Sequence, residues 1–217
     1  MQLKLYKKVN RKPLIYLISP PKIDIKTFPS NLIRVLDTGM ISIFQLRLKN
    51  YKDIELTNIT NLLFEICSKK KVTFILNDRV DIAKKLNVDG VHVGKNDISI
   101  KKARKILGNL KIIGSSCYNN NILSIKSQNL GANYVAFGSF FKTNTKKNTT
   151  KIKTSELKNI RKNIKIPIVS IGGLNKYNIK KLNLLKPDFL AFCSSIWHNK
   201  KSPELEISSV KNVLDNF

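Results

Sequence analysis

Short apolar runs alternate along the chain with longer amphipathic stretches. Eight runs stand out: Leu14–Ser19, Ser42–Leu48, Val72–Leu76, Gly90–Val93, Lys111–Ser115, Asn133–Phe137, Ile166–Ile171 and Phe189–Cys193. Each is a few residues long and rich in Val, Ile, Leu or Phe, as suits strands buried on both faces. Between them, Thr57–Lys69 places Ile59, Leu62, Leu63 and Ile66 on one helical face. Ser99–Leu107 repeats the spacing with Ala103, Ile106 and Leu107, and Asn121–Leu130 ends at Gly131, a residue that suits a helix C-terminus. Further helices are expected from Thr154 through Ile160, from Asn175 through Leu185 with Pro187 as a stop, and over Pro203–Leu214.

Strand and helix alternate with a period of about 25 residues, which predicts parallel strands joined by right-handed crossovers. Eight such units close into a barrel, whereas fewer would leave an open doubly wound sheet. No Gly-x-Gly-x-x-Gly follows the first run; Ser19-Pro20-Pro21 does. The expected fold is therefore α/β, a single (β/α)8 TIM barrel over residues 1–217, a length that suits one domain. The longest candidate loop, Lys142–Lys153, follows the sixth run and so belongs to the catalytic face.

Charge changes the picture less than its size suggests. Forty Lys and Arg against fourteen Asp and Glu give +26. The lysines are spread over nearly every segment, and Asn and Ile are abundant too, a pattern of biased codon usage rather than of a binding arm. Such a field still draws in phosphorylated ligands. A basic nucleic-acid-binding barrel is the alternative it raises, and steeply salt-dependent affinity for generic DNA would mark it. Cys67, Cys117 and Cys193 are odd in number and widely spaced, which points to reduced thiols and a cytoplasmic location. The basic start, Met1–Lys12, leads into an apolar run that stops at Pro20-Pro21 with no small-residue cleavage site, so it is read as a first strand and not as a signal peptide. No run reaches transmembrane length.

Candidate chemistry clusters at the ends of the runs. In Gln45-Leu46-Arg47-Leu48-Lys49, strand alternation puts the three polar residues on one face, inward in a barrel, as donors for anionic oxygens. Asn77-Asp78 follows the third run and Asp97 the fourth. Two carboxylates on neighbouring strands suit Mg²⁺, which takes few protein ligands plus substrate oxygens; singly, each Asp reads as well as a helix cap. Gly114-Ser115-Ser116 ends the fifth run, and Thr143-Asn144-Thr145-Lys146 in the next loop could clamp phosphate or lie in solvent. Gly172-Gly173 and Cys193-Ser194-Ser195 end the last two runs, where barrels commonly hold a phosphate through backbone N–H groups. His92 is expected to be an inward, hydrogen-bonded structural residue, and His198 a surface one.

Taken together, these residues resemble the thiamine-phosphate synthase family. The resemblance runs through Tyr16-Leu17-Ile18, Gln45-x-Arg47-x-Lys49, Asn77-Asp78-Arg79, Asp89 to Gly94 with Asp97, Ile113-Gly114-x-Ser116, Gly131-Ala132-x-Tyr134 with Gly138, Thr143-x-Thr145-Lys146, Ile171-Gly172-Gly173 and the Ser194 region, nearly the whole chain in order. It implies a transferase. Hydroxymethylpyrimidine diphosphate would lose pyrophosphate, and the nitrogen of hydroxyethylthiazole phosphate would attack the freed methylene carbon, giving thiamine phosphate by Mg²⁺-assisted dissociative substitution. By resemblance, Gln45, Arg47, Lys49, Asn77 and Lys146 contact the pyrimidine diphosphate, and Asp78 and Asp97 hold Mg²⁺. Ser116 lines the reacting centre, with Arg47 and Lys146 also catalytic. Thr143 and Thr145 bind the thiazole, and Gly173, Cys193 and Ser194 its phosphate. The implied partners are these small phosphorylated substrates, with no specific nucleic acid and no membrane; a homo-oligomer is compatible with the sequence, which leaves the oligomeric state open. The chain departs from the family at Ser139 and Lys142, where Pro is usual, at Tyr118, where His is usual, and at Ser19-Pro20, which replaces Thr-Asp. The related thiazole tautomerase tends to lack the second Asp and to use the His at the Tyr118 position, so Asp97 and Tyr118 both favour the synthase.

Overall fold

A computed structural model describes residues 12–142 and 160–216. The eight apolar runs are its eight strands: β1 Leu14–Ile18, β2 Ile41–Leu46, β3 Thr73–Asn77, β4 Gly90–Val93, β5 Ile112–Tyr118, β6 Tyr134–Phe137, β7 Ile168–Ile171 and β8 Phe189–Phe192. Each pairs in parallel with the next, and β8 closes onto β1, completing the expected (β/α)8 barrel. Strand alternation sorts the side chains into two layers. Tyr16, Ile18, Ile43, Ile75, Ile112, Tyr134, Val169 and Phe189 fill the barrel interior. Their neighbours, such as Leu17, Phe44, Phe74, Val91 and Leu190, face outward and pack under the helices.

Those helices are α1 Phe28–Asp37, α2 Asp53–Lys69, α3 Val80–Lys85, α4 Ile100–Leu107 and α5 Asn121–Asn129, followed by the short helix Ser194–Trp197 and the C-terminal helix Pro203–Leu214. α2 begins four residues before Thr57, with Asp53 and Glu55 in its first turn, where the helix dipole favours acids. α1 and α3 lie outside the expected set. α1 carries Phe28, Leu32, Val35 and Leu36 at helical spacing and Pro29 in its first turn, a legible pattern; α3 spans six residues, too few for a period to show. The helix expected from Asn175 is instead a 3₁₀ helix over Ile179–Leu185. Asn175 Oδ1 accepts the Tyr177 N–H at 2.9 Å and Asn178 Oδ1 accepts the Asn175 N–H at 3.0 Å, so local side-chain bonds hold this segment in a turn. Of the helix expected from Thr154 through Ile160, residues 154–159 lie outside the described part, and residues 160–163 are helical.

The base of the barrel is closed by acceptor side chains placed just before alternate strands. Asp89 accepts the Phe74 N–H of β3 at 2.8 Å, Asn133 the Ile113 N–H of β5 at 2.8 Å, and Asp188 the Ile168 N–H of β7 at 2.8 Å. Arg161 forks onto Asp188 at 2.8 and 3.1 Å, and Arg104 bonds Asn133 at 2.6 Å together with three backbone carbonyls. These polar groups are satisfied within the protein, as burial requires.

Candidate active site

The opposite end of the barrel opens into a cavity of about 670 Å³. Gln45, Arg47, Lys49, Asn77, Asp78, Asp97, Ser116, Gly173, Cys193 and Ser194, the described candidates from the sequence, all line it. Thr143, Thr145 and Lys146 lie outside the described residues.

On the β2–β4 side the lining is charged. Gln45 and Asn77 are buried at their strand ends, and Gln45 Nε2 donates to Asn77 Oδ1 at 2.7 Å. The Arg47 N–H donates to Ser19 Oγ at 2.9 Å, so the serine that stands in place of the family's Thr-Asp pins the segment after β2. Lys49 Nζ lies 3.2 Å from Asp78 Oδ2. Asp78 has φ +64°, a left-handed backbone that non-glycine residues adopt sparingly, and its N–H donates to the His92 carbonyl at 2.8 Å. Burial first, and then a hydrogen bond with Asp97, push the Asp78 carboxyl above its ordinary range against the pull of Lys49. Burial also opposes ionisation of Asp97, but the bond from Asp78 and the Gly94 N–H, 2.6 Å from Oδ2, hold it below the usual range.

This geometry removes the helix-cap reading of both carboxylates. Ser99, not Asp97, caps α4, accepting the Lys102 N–H at 3.3 Å. The N-cap of α3 is Arg79, with no side-chain cap bond. Neither Asp serves a helix. Among the described residues no cluster of three or more His, Cys, Asp or Glu could enclose a metal, so any ion at Asp78 and Asp97 needs oxygens from elsewhere.

The β7–β8 side is built from backbone. Gly172 and Gly173 have φ of +101° and +68°, and a Cβ on either would collide with Ser139 or with the Lys142 carbonyl. Only glycine lets the loops after β6 and β7 close this tightly. Cys193 Sγ contacts the Ser19 carbonyl at 3.4 Å, and burial pushes its thiol up to about 11, so it is an uncharged lining group. The Ser195 hydroxyl is buried and has no hydrogen-bond partner among the described residues.

Between the two sides, a row of hydrogen bonds crosses the barrel floor. The Tyr16 hydroxyl bonds Gln45 Oε1 at 2.9 Å and the Tyr134 hydroxyl at 2.8 Å. Tyr134 then meets His92 Nδ1 at 2.9 Å, and His92 Nε2 meets Ser116 Oγ at 2.8 Å. His92 is therefore inward and hydrogen-bonded, as expected, but its partner is a candidate site residue. Tyr16 and Tyr134 had no role assigned from the sequence. Their signal there is a phenol at an inward position among aliphatics, which needs a polar partner when buried. Gly114 makes room for them: a Cβ on it would lie inside the Tyr134 ring. Tyr118, at the family's usual His, has φ +57° beside a register shift in β5, and its hydroxyl approaches the Gly94–Asp97 loop.

The family model described as thiamine monophosphate synthase matches residues 15–196. The chain belongs to the thiamine monophosphate synthase family. A thiamine-phosphate synthase of Pelagibacter ubique is 47% identical over 92% of this chain and 95% of that protein, and one of Methanobrevibacter smithii is 36% identical over 94% of each. A solved thiamine phosphate pyrophosphorylase of Pyrococcus furiosus superposes with a TM-score of 0.81 at 26% identity, covering 94% of this chain and 96% of that one. A 3-hexulose-6-phosphate synthase, at 12% identity and a TM-score of 0.68, shares the fold alone. As a member of the thiamine monophosphate synthase family, the chain is a transferase. No helix among the described residues is long and apolar enough to cross a membrane.

Proposed function

We propose that the enzyme joins hydroxymethylpyrimidine diphosphate to hydroxyethylthiazole phosphate, with the diphosphate on the β2–β4 side and the monophosphate on the β7–β8 side. The observation that carries this reading is the Asp78–Asp97 pair. Two carboxylates share a hydrogen bond at the mouth, cap no helix, and face the same cavity as Arg47 and Lys49. Two carboxylates set this close repel unless a proton or a cation comes between them, so the donor set fits a divalent ion completed by diphosphate oxygens. Asp78 and Asp97 would hold Mg²⁺, which when bound supplies charge neutralisation for the leaving pyrophosphate.

The chain's own groups account for the remaining steps. Arg47 and Lys49 bind and orient the diphosphate, and Gln45 and Asn77 present amide groups to the pyrimidine side. Departure of pyrophosphate leaves a cationic methylene carbon near Ser116, and the thiazole nitrogen attacks it. Gly172-Gly173 and the backbone at Ser194, with the Ser195 hydroxyl, receive the thiazole phosphate. Lys146, Thr143 and Thr145 complete the site on the strength of the family resemblance. Three free thiols, two of them buried, suit a reducing cytoplasmic setting.

An assay with both substrates and Mg²⁺ tests this. Thiamine phosphate should form, and Asp78→Ala or Asp97→Ala should lower kcat/KM by about 10³-fold, the several kcal/mol a catalytic metal contributes. Full activity in both variants would remove the metal assignment. Tight, salt-sensitive DNA binding without turnover would favour the basic binding barrel instead.

A further inference from the structure

The row of hydrogen bonds across the barrel floor has a direction. Gln45 turns its amide nitrogen to Asn77 and its carbonyl oxygen to Tyr16, so Tyr16 donates its only proton to Gln45. The Tyr16 oxygen must then accept from Tyr134, 2.8 Å away. Tyr134, its proton committed, must accept from His92 Nδ1 at 2.9 Å. A neutral imidazole that donates through Nδ1 has an acceptor at Nε2, so the Ser116 hydroxyl donates to Nε2 at 2.8 Å. Burial holds both phenols in the protonated form, which keeps one donor at each link.

We infer that Tyr16, Tyr134 and His92 are positioning residues that fix His92 as the Nδ1–H tautomer and commit the Ser116 proton to it, so that Ser116 meets the substrate as a hydrogen-bond acceptor. This rests on the proposed reaction. In that reaction the group beside Ser116 is electron-poor, the methylene carbon that turns cationic as pyrophosphate leaves. A hydroxyl whose proton points away presents lone pairs to developing positive charge, and Nε2 draws that proton further off the oxygen. A serine free to rotate would turn its proton toward the pyrophosphate oxygens instead. The row converts an amide orientation at Gln45 into a hydroxyl orientation at Ser116. Gly114 belongs to the same device, since only glycine there leaves space for the Tyr134 ring.

The chain has two histidines, which makes the tautomer directly readable. In ¹⁵N-histidine-labelled enzyme, with exposed His198→Gln to assign the signals, His92 should show a protonated, pyrrole-type Nδ1 and an unprotonated, pyridine-type Nε2. Tyr16→Phe cuts the row. Tyr134 is then free to donate to Nδ1, and His92 should shift toward the Nε2–H tautomer. Its kcat should fall about tenfold, the worth of one well-made hydrogen bond, while KM for the pyrimidine diphosphate stays within about twofold. An Nε2–H tautomer in the wild type would overturn the inference, because it means that the amides of Gln45 and Asn77, and every donor after them, run the other way. A Tyr16→Phe enzyme with the wild-type tautomer and a tenfold loss would overturn it too, by showing that Tyr16 acts on the substrate directly. Neither spectrum depends on turnover, so a failure of the proposed reaction shows separately, as loss of thiamine phosphate formation with the tautomer intact.

Discussion

The two ends of this barrel use the same side chain for opposite purposes. At the base, Asp89 and Asp188 each accept a strand N–H, and Asp188 is also clasped by Arg161. At the mouth, Asp78 and Asp97 face one another, with Lys49 beside Asp78 and the Gly94 N–H on Asp97. A carboxylate supplied with N–H donors or a guanidinium is settled and stabilising. Two carboxylates forced together are unsettled, and a fold keeps such a pair where a ligand resolves it. Burial alone does not distinguish the ends. What differs is that the mouth sets two carboxylates against each other, whereas each base carboxylate faces donors.

The comparison breaks first if a base carboxylate proves catalytic. Asp188→Ala removes the acceptor of the Ile168 N–H and strands the mostly buried Arg161, at a cost of about 3 kcal/mol. In a chain of this length that lowers Tm by about 6–12 °C, read by calorimetry. The kcat/KM of the folded fraction should stay within about twofold of the wild type, and a large loss would place Asp188 in the chemistry.

The mouth should respond with the opposite sign. Asp78 binds its proton more tightly in the folded chain than in the unfolded one. The metal-free protein therefore loses stability as pH rises through that raised pKa. Asp78→Asn tolerates the left-handed backbone, removes the charge and can offer Asp97 an N–H. It should raise the Tm of the metal-free protein at neutral pH by about 2 °C and flatten its dependence on pH above the ordinary Asp range, while activity is lost. An unchanged or lower Tm would mean that Lys49 already satisfies the pair.

A smaller effect separates the two sides of the mouth. Gly173→Ala strains a left-handed position and presses on the Lys142 carbonyl, and it should raise KM for the thiazole phosphate more than KM for the pyrimidine diphosphate, by about tenfold against twofold. Equal rises, from steady-state kinetics, would dissolve the division.

The barrel was legible because buried parallel strands leave apolar runs that turns and helices interrupt, and all eight strands fall within the expected runs to within a few residues. Helices were less so. α3 is too short to show a period, and the segment after Asn175 spends its side-chain amides on a turn that competes with a helix. At the site, the charged side reads easily, since Gln45, Arg47, Lys49, Asp78 and Asp97 are conspicuous at strand ends. That Asp78 and Asp97 cap nothing was not legible, because capping depends on where the helix starts, and Ser99 takes that role at α4. Tyr16 and Tyr134 were hidden for another reason: they sit far apart in sequence, and only barrel closure brings their hydroxyls to 2.8 Å.

The central claim is that Asp78 and Asp97 are a ligand pair for a metal and diphosphate. The direct measurement is the thermal shift caused by Mg²⁺ with inorganic pyrophosphate, in the wild type, Asp188→Ala and Asp78→Asn. At about a hundred times the dissociation constant, binding adds about 2.7 kcal/mol, a rise of about 5–10 °C. The wild type and Asp188→Ala should rise equally from different baselines, and Asp78→Asn should not rise. A full shift in Asp78→Asn would contradict the account.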